Sequence, residues 1–288
     1  MAMRLLTDPG ELRRACREVR GSGRRVALVP TMGALHDGHL SLVRAARERA
    51  HVVVLSVFVN PTQFGPGEDL ETYPHDMERD GHLAEAAGVE LLFHPEPAAI
   101  YPTGDATRVE VTGLTEILCG ASRPGHFRGV ATVVTKLLIL CEPDVAVFGR
   151  KDYQQWRVIE RLVRDLFLDV EIVGAPIVRE ADGLALSSRN SFLSPAEREA
   201  SLALPRALKA GAEAVRDGER DPRRVVERMT AVIQDEPAAR LDYLEALDAV
   251  ELQPVESLDG ETLLAGAIRV GSTRLIDNRE LNVQGRRP

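Results

Sequence analysis

Val26-Ala-Leu-Val-Pro-Thr-Met-Gly-Ala-Leu-His-Asp-Gly-His-Leu-Ser-Leu-Val43 starts as an apolar strand, passes through a glycine-containing turn and enters a helix at two histidines. A helix start leaves about four backbone N–H groups unpaired and carries roughly half a positive charge. A polyphosphate placed there meets ready donors, and His36 and His39 add two more. Gly33 permits a tight turn, and Gly38 permits a ligand close to the backbone. Pro30 is expected to stop the strand, while Leu40, Leu42, Val43 and Ala46 continue with helical spacing. Two histidines three apart are also a common surface pair or metal pair, and this stretch alone leaves those readings open.

Outward from this point the pattern alternates. Val26 to Val29 reads as a strand, Leu40 to Arg49 as a helix, and His51 to Val59 as a second strand whose near-continuous apolar run suits a parallel sheet covered on both faces. Helical spacing returns at His82 to Ala87, Val130 to Leu140 and Gln154 to Phe167, with strands at Val89 to Phe93, Asp144 to Phe148 and Val170 to Val173. Such alternation predicts an α/β fold with a Rossmann-like, doubly wound parallel sheet, whose ligands sit beyond the carboxyl ends of the strands. After Pro176 the pattern changes. Helices over about Pro195 to Arg216 and Pro222 to Gln234 precede strand-like pieces at Leu241 to Leu247, Ala267 to Val270 and Thr273 to Asn278. The expected organisation is a nucleotide-binding domain over residues 1–176 and a smaller C-terminal α+β lid domain over 177–288.

Composition narrows the partners. At 288 residues with a formal net charge of -8, the chain can bury a large core and lacks the basic excess of a nucleic-acid binder. Small anions remain possible ligands, because binding them depends on a local cluster of donors. Cys16, Cys119 and Cys141 are odd in number and widely spaced, which fits inert thiols in a reducing cytoplasm and no structural zinc site. No apolar run is long enough for a signal peptide or a membrane span, so a cytoplasmic protein without membrane partners is expected.

Four further segments fall where strands end. In Phe58-Val-Asn-Pro-Thr-Gln-Phe64 a buried strand delivers the amides of Asn60 and Gln63, which hold hydroxyls or carboxylates without adding charge. Arg123-Pro-Gly-His-Phe-Arg-Gly129 offers two arginines and His126 ahead of a helix, an anion site or an ordinary solvated basic loop. Phe148-Gly-Arg-Lys-Asp-Tyr-Gln-Gln-Trp156 offers Lys151 to a phosphate, Asp152 to ribose hydroxyls and Gln154 or Gln155 to a neighbouring substrate. A capped surface helix accounts for Asp152 but not for Gly149 and Lys151 beside it. Asp182-Gly-Leu-Ala-Leu-Ser-Ser-Arg-Asn190 sets Ser187, Ser188 and Arg189 in a row, as a pyrophosphate clamp or a helix cap. The Gly65 to Glu71 stretch reads equally as a mobile loop or a solvated connection.

The His36-Asp-Gly-His39 junction resembles the nucleotide-binding signature of the nucleotidylyltransferase superfamily. All five segments, in this order, resemble the pantothenate synthetase (pantoate:beta-alanine ligase) family within it. The shared motifs are Pro-Thr-Met-Gly-x-Leu-His-x-Gly-His at 30–39, Phe-Val-Asn-Pro-x-Gln-Phe at 58–64, Arg-Pro-x-His-Phe-x-Gly-Val at 123–130, Phe-Gly-x-Lys-Asp-Tyr-Gln-Gln at 148–155 and Ser-Ser-Arg-Asn at 187–190. They span about Arg24 to Leu193. Two variable letters depart from the common pattern, Arg150 where Glu or Gln is usual and His75 where Arg is common.

The resemblance implies an AMP-forming ligase of coenzyme A biosynthesis, in which pantoate's carboxylate attacks ATP and beta-alanine's amine then attacks the pantoyl adenylate. It implies that Met32, Gly33, Ala34, Leu35, His36, Asp37, Gly38 and His39 form the ATP segment, with His36 and His39 at the phosphates and His39 as proton donor. Gly149, Arg150, Lys151 and Asp152 contact ribose and phosphate, with Lys151 also catalytic. Val178 and Leu186 line the adenine position, and Ser187, Ser188 and Arg189 hold the triphosphate. Gln63, Gln155 and the nearby Asn60 hold pantoate, Gln63 borders beta-alanine, and Arg123 and His126 form the rim. Mg²⁺ accompanies ATP with no identifiable ligands, and a homodimer is expected. Readings still open are a ligase of the same fold acting on another small acid and a nucleotide sensor without turnover.

Overall fold

The computed structural model describes residues 2–283. They group into two compact units: residues up to Arg150 with Val158–Ile177, and Lys151–Arg157 with the chain from Val178 onward.

The first unit is built on a six-stranded sheet in which every pairing is parallel. Its strands are β1 (Arg4–Leu6), β2 (Val26–Thr31), β3 (Val52–Val57), β4 (Leu91–Phe93), β5 (Val145–Gly149) and β6 (Glu171–Ala175), ordered β1-β4-β3-β2-β5-β6. The chain steps from β2 through β3 to β4 on one side and from β5 to β6 on the other. The topological switch point therefore lies at the carboxyl ends of β2 and β5. Helices α1 (Pro9–Gly21), α2 (Asp37–Arg47) and α3 (Met77–Ala87), the short α4 (Pro97–Ile100) and α5 (Cys119–Ser122), α6 (His126–Cys141) and α7 (Tyr153–Asp165) complete the series through the sheet.

The elements follow local chemistry. Asp8 caps α1 by accepting from Glu11 N at 2.8 Å, Pro9 occupies its first turn, and Leu12, Ala15, Cys16 and Val19 are buried at i, i+3, i+4 and i+7. The apolar letters of β2 and β3 meet Leu42, Val43 and Ala46 of α2 and Ala84 of α3 in one core. The three cysteines are buried free thiols. No helix among the described residues is long and apolar enough to cross a membrane.

Several boundaries differ from the sequence reading. Pro30 does not end β2, which continues to Thr31 with Pro30 opposite Ser56. The Thr31 carbonyl accepts from Phe58 N at 3.0 Å, so Pro30 points to the other side, where pairing with β5 has ended at Leu28. Its missing N–H costs no ladder bond there. Helix α2 begins at Asp37 rather than Leu40, and α6 at His126 rather than Val130, because Asp37-Gly-His39 in the one and His126 and Arg128-Gly129 around Phe127 in the other interrupt the apolar period. The short edge strand β1 and the helix α1 are additional elements.

The second unit carries an antiparallel sheet of β7 (Ala239–Asp248), β8 (Gly260–Val270) and β9 (Thr273–Val283), packed with α9 (Ala203–Arg216) and α10 (Pro222–Gln234). Leu204, Leu208, Met229, Ile233, Leu264 and Ile268 fill its core. The single helix expected over Pro195 to Arg216 is two, α8 (Pro195–Ser201) and α9. Pro205 cannot donate to the Ser201 carbonyl and its ring crowds that group, so the helix breaks one turn earlier. Lys151–Arg157 joins this unit through bonds of Tyr153 Oη to Ala249 O at 3.2 Å and of Arg157 Nε to Val250 O at 3.0 Å.

Candidate active site

At the carboxyl end of β2 the chain turns through Gly33 at φ +86 and Ala34 at φ +50, then enters α2. His36 is the N-cap, and its Nδ1 accepts from Gly38 N at 3.1 Å. A nitrogen that accepts an N–H cannot carry a hydrogen, so the neutral ring holds its proton on Nε2, as a donor. The His39 ring stacks on it, centroids 4.1 Å apart and planes 26° apart. The two histidines thus form one wall at the α2 start. Asp37 is exposed, and Met32, Ala34, Gly38 and His39 are half-buried.

At the end of β3, Asn60 is buried and its amide is fully engaged. Its Nδ2 donates to Gln63 Oε1 at 3.0 Å and Gly129 O at 3.2 Å, and its Oδ1 accepts from Thr62 Oγ1 at 2.9 Å and Tyr101 Oη at 2.8 Å. Burial pushes the Tyr101 phenol up, which keeps it a donor. Gln63 Nε2 reaches Met32 Sδ at 3.0 Å, so the amide facing the histidine turn is held at both ends. Gly129 is required here, since a Cβ on it would lie 2.4 Å from Thr62 O.

The basic segment before α6 converges on the same glutamine. Arg123 has only donors, so His126 Nε2, 3.1 Å from its Nη1, accepts. His126 Nδ1 then donates to Gln63 O at 2.9 Å. Arg123 also grips Glu68 with two bonds, Nε to Oε1 at 2.7 Å and Nη2 to Oε2 at 2.6 Å, while Gly65 N donates to Glu68 at 3.1 Å. Burial pushes the Glu68 carboxyl up, but the Arg123 hydrogen bond and charge and the Gly65 N–H outweigh it and hold it below its ordinary value. The Gly65 to Glu71 stretch is therefore tied down through a charged fork.

At the end of β5, Gly149 is followed by Arg150, whose Nε donates to Gly174 O at 2.9 Å and joins the ends of β5 and β6. His75 Nδ1 lies 3.1 Å from Tyr73 O, within its own loop.

The remaining candidates belong to the second unit. Lys151 and Asp152 form a turn with a 3.8 Å ion pair, and Gln155 is half-buried in the first turn of α7. Val178 and Leu186 face each other across a small hairpin, Leu186 N donating to Val178 O at 3.0 Å and Glu180 N to Leu184 O at 2.8 Å. Ser187 caps the 3-10 turn Ser188–Phe192 by accepting from Arg189 N at 3.3 Å. Arg198 holds the hairpin tip through Glu180 at 2.7 Å and Asp182 at 2.6 Å.

Comparison with known proteins places this arrangement. The family model for pantoate-beta-alanine ligase matches residues 4–280. The chain belongs to the pantoate-beta-alanine ligase family. It is 54% identical over 281 residues to a pantothenate synthetase of Moorella thermoacetica, covering 98% of this chain and 99% of the relative. It is 52% identical over 276 residues to that of Syntrophotalea carbinolica, covering 96% and 98%. The pantothenate synthetase structure from Thermus thermophilus aligns at a TM-score of 0.92 with 48% identity, covering 98% and 100%. The Francisella tularensis pantoate-beta-alanine ligase, solved with beta-gamma ATP and beta-alanine, aligns at 0.79 with 33% identity, covering 96% and 97%.

Within this family's fold the chain places supporting groups that motif reading passed over. Asp80 of α3, buried, accepts from Ala34 N and Leu35 N, both at 2.8 Å, and so clamps the turn ahead of His36. Thr31 Oγ1 assists by accepting from Gly33 N at 3.3 Å and donating to Ser56 O at 2.7 Å. Tyr101 and Glu68 act on Asn60 and Arg123. The signal available in the sequence was an aspartate in the buried stripe of an otherwise surface helix. Among the described residues no group of three or more His, Cys, Asp and Glu could hold a metal ion by itself.

Proposed function

We propose that this ligase condenses (R)-pantoate with beta-alanine at the expense of ATP, giving pantothenate, AMP and pyrophosphate. A carboxylate oxygen of pantoate attacks the α-phosphorus, the bond to pyrophosphate breaks, and pantoyl adenylate forms. The amine of beta-alanine then attacks the acyl carbon, the bond to AMP breaks, and the amine proton leaves. The observation that carries this reading is the stack of His39 on His36, the N-cap of α2, at the switch point of a chain matched by the ligase family over residues 4–280.

Each candidate has a job in that scheme. His36 and His39 steady the phosphates with the α2 N–H groups, and His39 supplies a proton to the departing pyrophosphate. Lys151 places a point charge on the phosphates, and Asp152 accepts from ribose hydroxyls while Gly149 and Arg150 supply main chain. Val178 and Leu186 flank the adenine, and Ser187, Ser188 and Arg189 hold the triphosphate. Gln63 and Gln155 hold pantoate, with Asn60 fixing Gln63, and Gln63 borders beta-alanine. Mg²⁺ would accompany ATP and would supply charge neutralisation at the phosphates. The donors and cations of these segments suit catalysis by positioning and electrostatic stabilisation.

We also place residues 177–288 as the smaller lid domain, the protein in the cytoplasm, where three free thiols stay reduced, and its assembly as a homodimer, as family resemblance implies. The test is a pyrophosphate-release assay across small hydroxy acids. Pantoate with ATP should release pyrophosphate and yield a trappable adenylate before beta-alanine is added. Release that requires all three substrates, with no adenylate trapped, overturns the two-step scheme.

A further inference from the structure

The middle of β9, Leu275-Ile-Asp-Asn-Arg279, contains two polar residues that a strand ordinarily disfavours, and both are buried, Asp277 at 3% and Asn278 at 4% exposure. Asp277 Oδ1 accepts from the neighbouring Asn278 N at 2.7 Å, and both side chains also reach beyond the strand. Asp277 takes a two-pronged grip from Arg179, Nη1 to Oδ2 at 2.7 Å and Nη2 to Oδ1 at 2.8 Å. The same guanidinium donates to Asn278 O at 3.3 Å and to Gly183 O at 3.0 Å, across the hairpin from its own position. Asn278 Nδ2 donates to Lys151 O at 3.0 Å. Two neighbouring residues of β9 therefore hold two segments more than 90 residues away in sequence, the 178–186 hairpin and the Lys151 turn.

We infer that Asp277 and Asn278 are positioning residues for ATP, Asp277 setting the hairpin that bears Val178 and Leu186 through Arg179, and Asn278 setting Lys151 through its main-chain carbonyl. The inference rests on the roles proposed above for those two segments. The hairpin tip at Ala181 and Asp182 is exposed and is held by Arg198 through Glu180 and Asp182, whereas its base, next to Val178, is held by Arg179 on Asp277. A planar guanidinium in a two-bond fork fixes direction as well as distance, which a single point charge cannot do. A main-chain carbonyl held by a buried amide likewise fixes where the Lys151 side chain starts.

The two residues should separate in kinetics. The hairpin contacts a part of ATP remote from the reacting phosphorus, so loosening it removes binding that ground state and transition state share, and KM rises with kcat kept. Lys151 faces charge that develops during attack, so displacing it lowers kcat. Asn278→Asp is nearly isosteric but turns a carboxylate oxygen toward the Lys151 carbonyl, replacing a donor by an acceptor. Asp277→Asn leaves Arg179 without its counter-charge.

The experiment measures equilibrium binding of a fluorescent ATP analogue, thermal unfolding, and pyrophosphate release with pantoate. Asp277→Asn should weaken analogue binding and raise KM for ATP at least about tenfold, with kcat within about threefold of wild type. Asn278→Asp should lower kcat at least about tenfold, and should cost less than about twofold more when added to Lys151→Ala, since both act through one group. If Asp277→Asn does not fold, Arg179→Lys, which keeps the charge and loses the fork, should still weaken analogue binding about fivefold. Wild-type analogue binding in Arg179→Lys together with wild-type kcat in Asn278→Asp overturns the inference, as does full additivity with Lys151→Ala. The binding arm needs no acid substrate. A wild-type enzyme that binds the analogue but releases no pyrophosphate with pantoate therefore counts against the proposed reaction, not against the positioning of ATP.

Discussion

Replacing Asp80 by Asn should damage the histidine wall from a residue that touches neither histidine. The carboxylate is 1% exposed and its two oxygens accept from Ala34 N and Leu35 N at 2.8 Å. Those N–H groups belong to a turn in which Ala34, a residue with a Cβ, is held at φ +50. Such a conformation costs on the order of 1–3 kcal/mol and persists only where the surroundings over-determine it. Asn fits the space but offers one acceptor, and its NH2 must then face the second N–H, donor against donor. The loss of one charge-assisted bond, with a buried N–H left opposite another donor, amounts to about 2–4 kcal/mol.

For a unit of between about 150 and 250 residues each kcal/mol lowers Tm by roughly 2–4 °C, so Asp80→Asn should unfold about 5–15 °C below wild type. The surviving folded fraction should also turn over slowly, because the turn sets the start of α2 and with it the His36 cap. Pyrophosphate release at saturating pantoate and ATP, measured well below the lowered Tm, should fall at least about tenfold. A Tm within about 1 °C of wild type, or a lowered Tm with unchanged turnover, would refute the claim that Asp80 holds the wall in place.

His39→Ala and Lys151→Ala should each lower the pyrophosphate-release rate at least about tenfold, since each removes an interaction proposed to be strongest in the transition state; stopped-flow release assays check this. Gly129→Ala drives a Cβ to 2.4 Å from Thr62 O and should displace the Pro61–Gln63 turn, raising KM for pantoate more than KM for ATP in steady-state assays. The Arg123 fork holds the folded Glu68 carboxyl below its ordinary value of 4.5, so its stabilisation is complete above that pH and is lost as pH falls through the folded value. The urea midpoint of Glu68→Gln should accordingly lie below that of wild type at neutral pH, and the gap should close on acidification below 4.5.

Local periodicity made the parallel sheet legible, because its strands are near-continuous apolar runs and its helices have one apolar face. The boundaries were less legible where chemistry sits at an element's end. His36 and His126 stand at or inside the first turn of α2 and α6, and polar and glycine letters there interrupt the hydrophobic period. Pro30 misled for a topological reason, since whether a proline interrupts a ladder depends on which neighbour its nitrogen faces, and that is decided by β5, more than 100 residues onward.

The candidate site divides the same way. Residues proposed to present groups to ligand sit in compact motifs at strand ends, where glycine, histidine and amide letters cluster in sequence. Residues that hold those motifs in place are scattered, because a turn is braced best from an element that reaches it from elsewhere: Asp80 lies 45 residues beyond Leu35, Tyr101 is 41 beyond Asn60, and Asp277 is 98 beyond Arg179. What marks such a residue in the sequence is a mismatch between its polarity and its expected burial. Asp80 falls on the buried stripe of α3, Asp277 in the middle of a strand, and Asn60 just past an apolar one. A buried carboxylate or amide is stable only when its bonds are met, so each such mismatch implies a distant backbone or cation that must come to it.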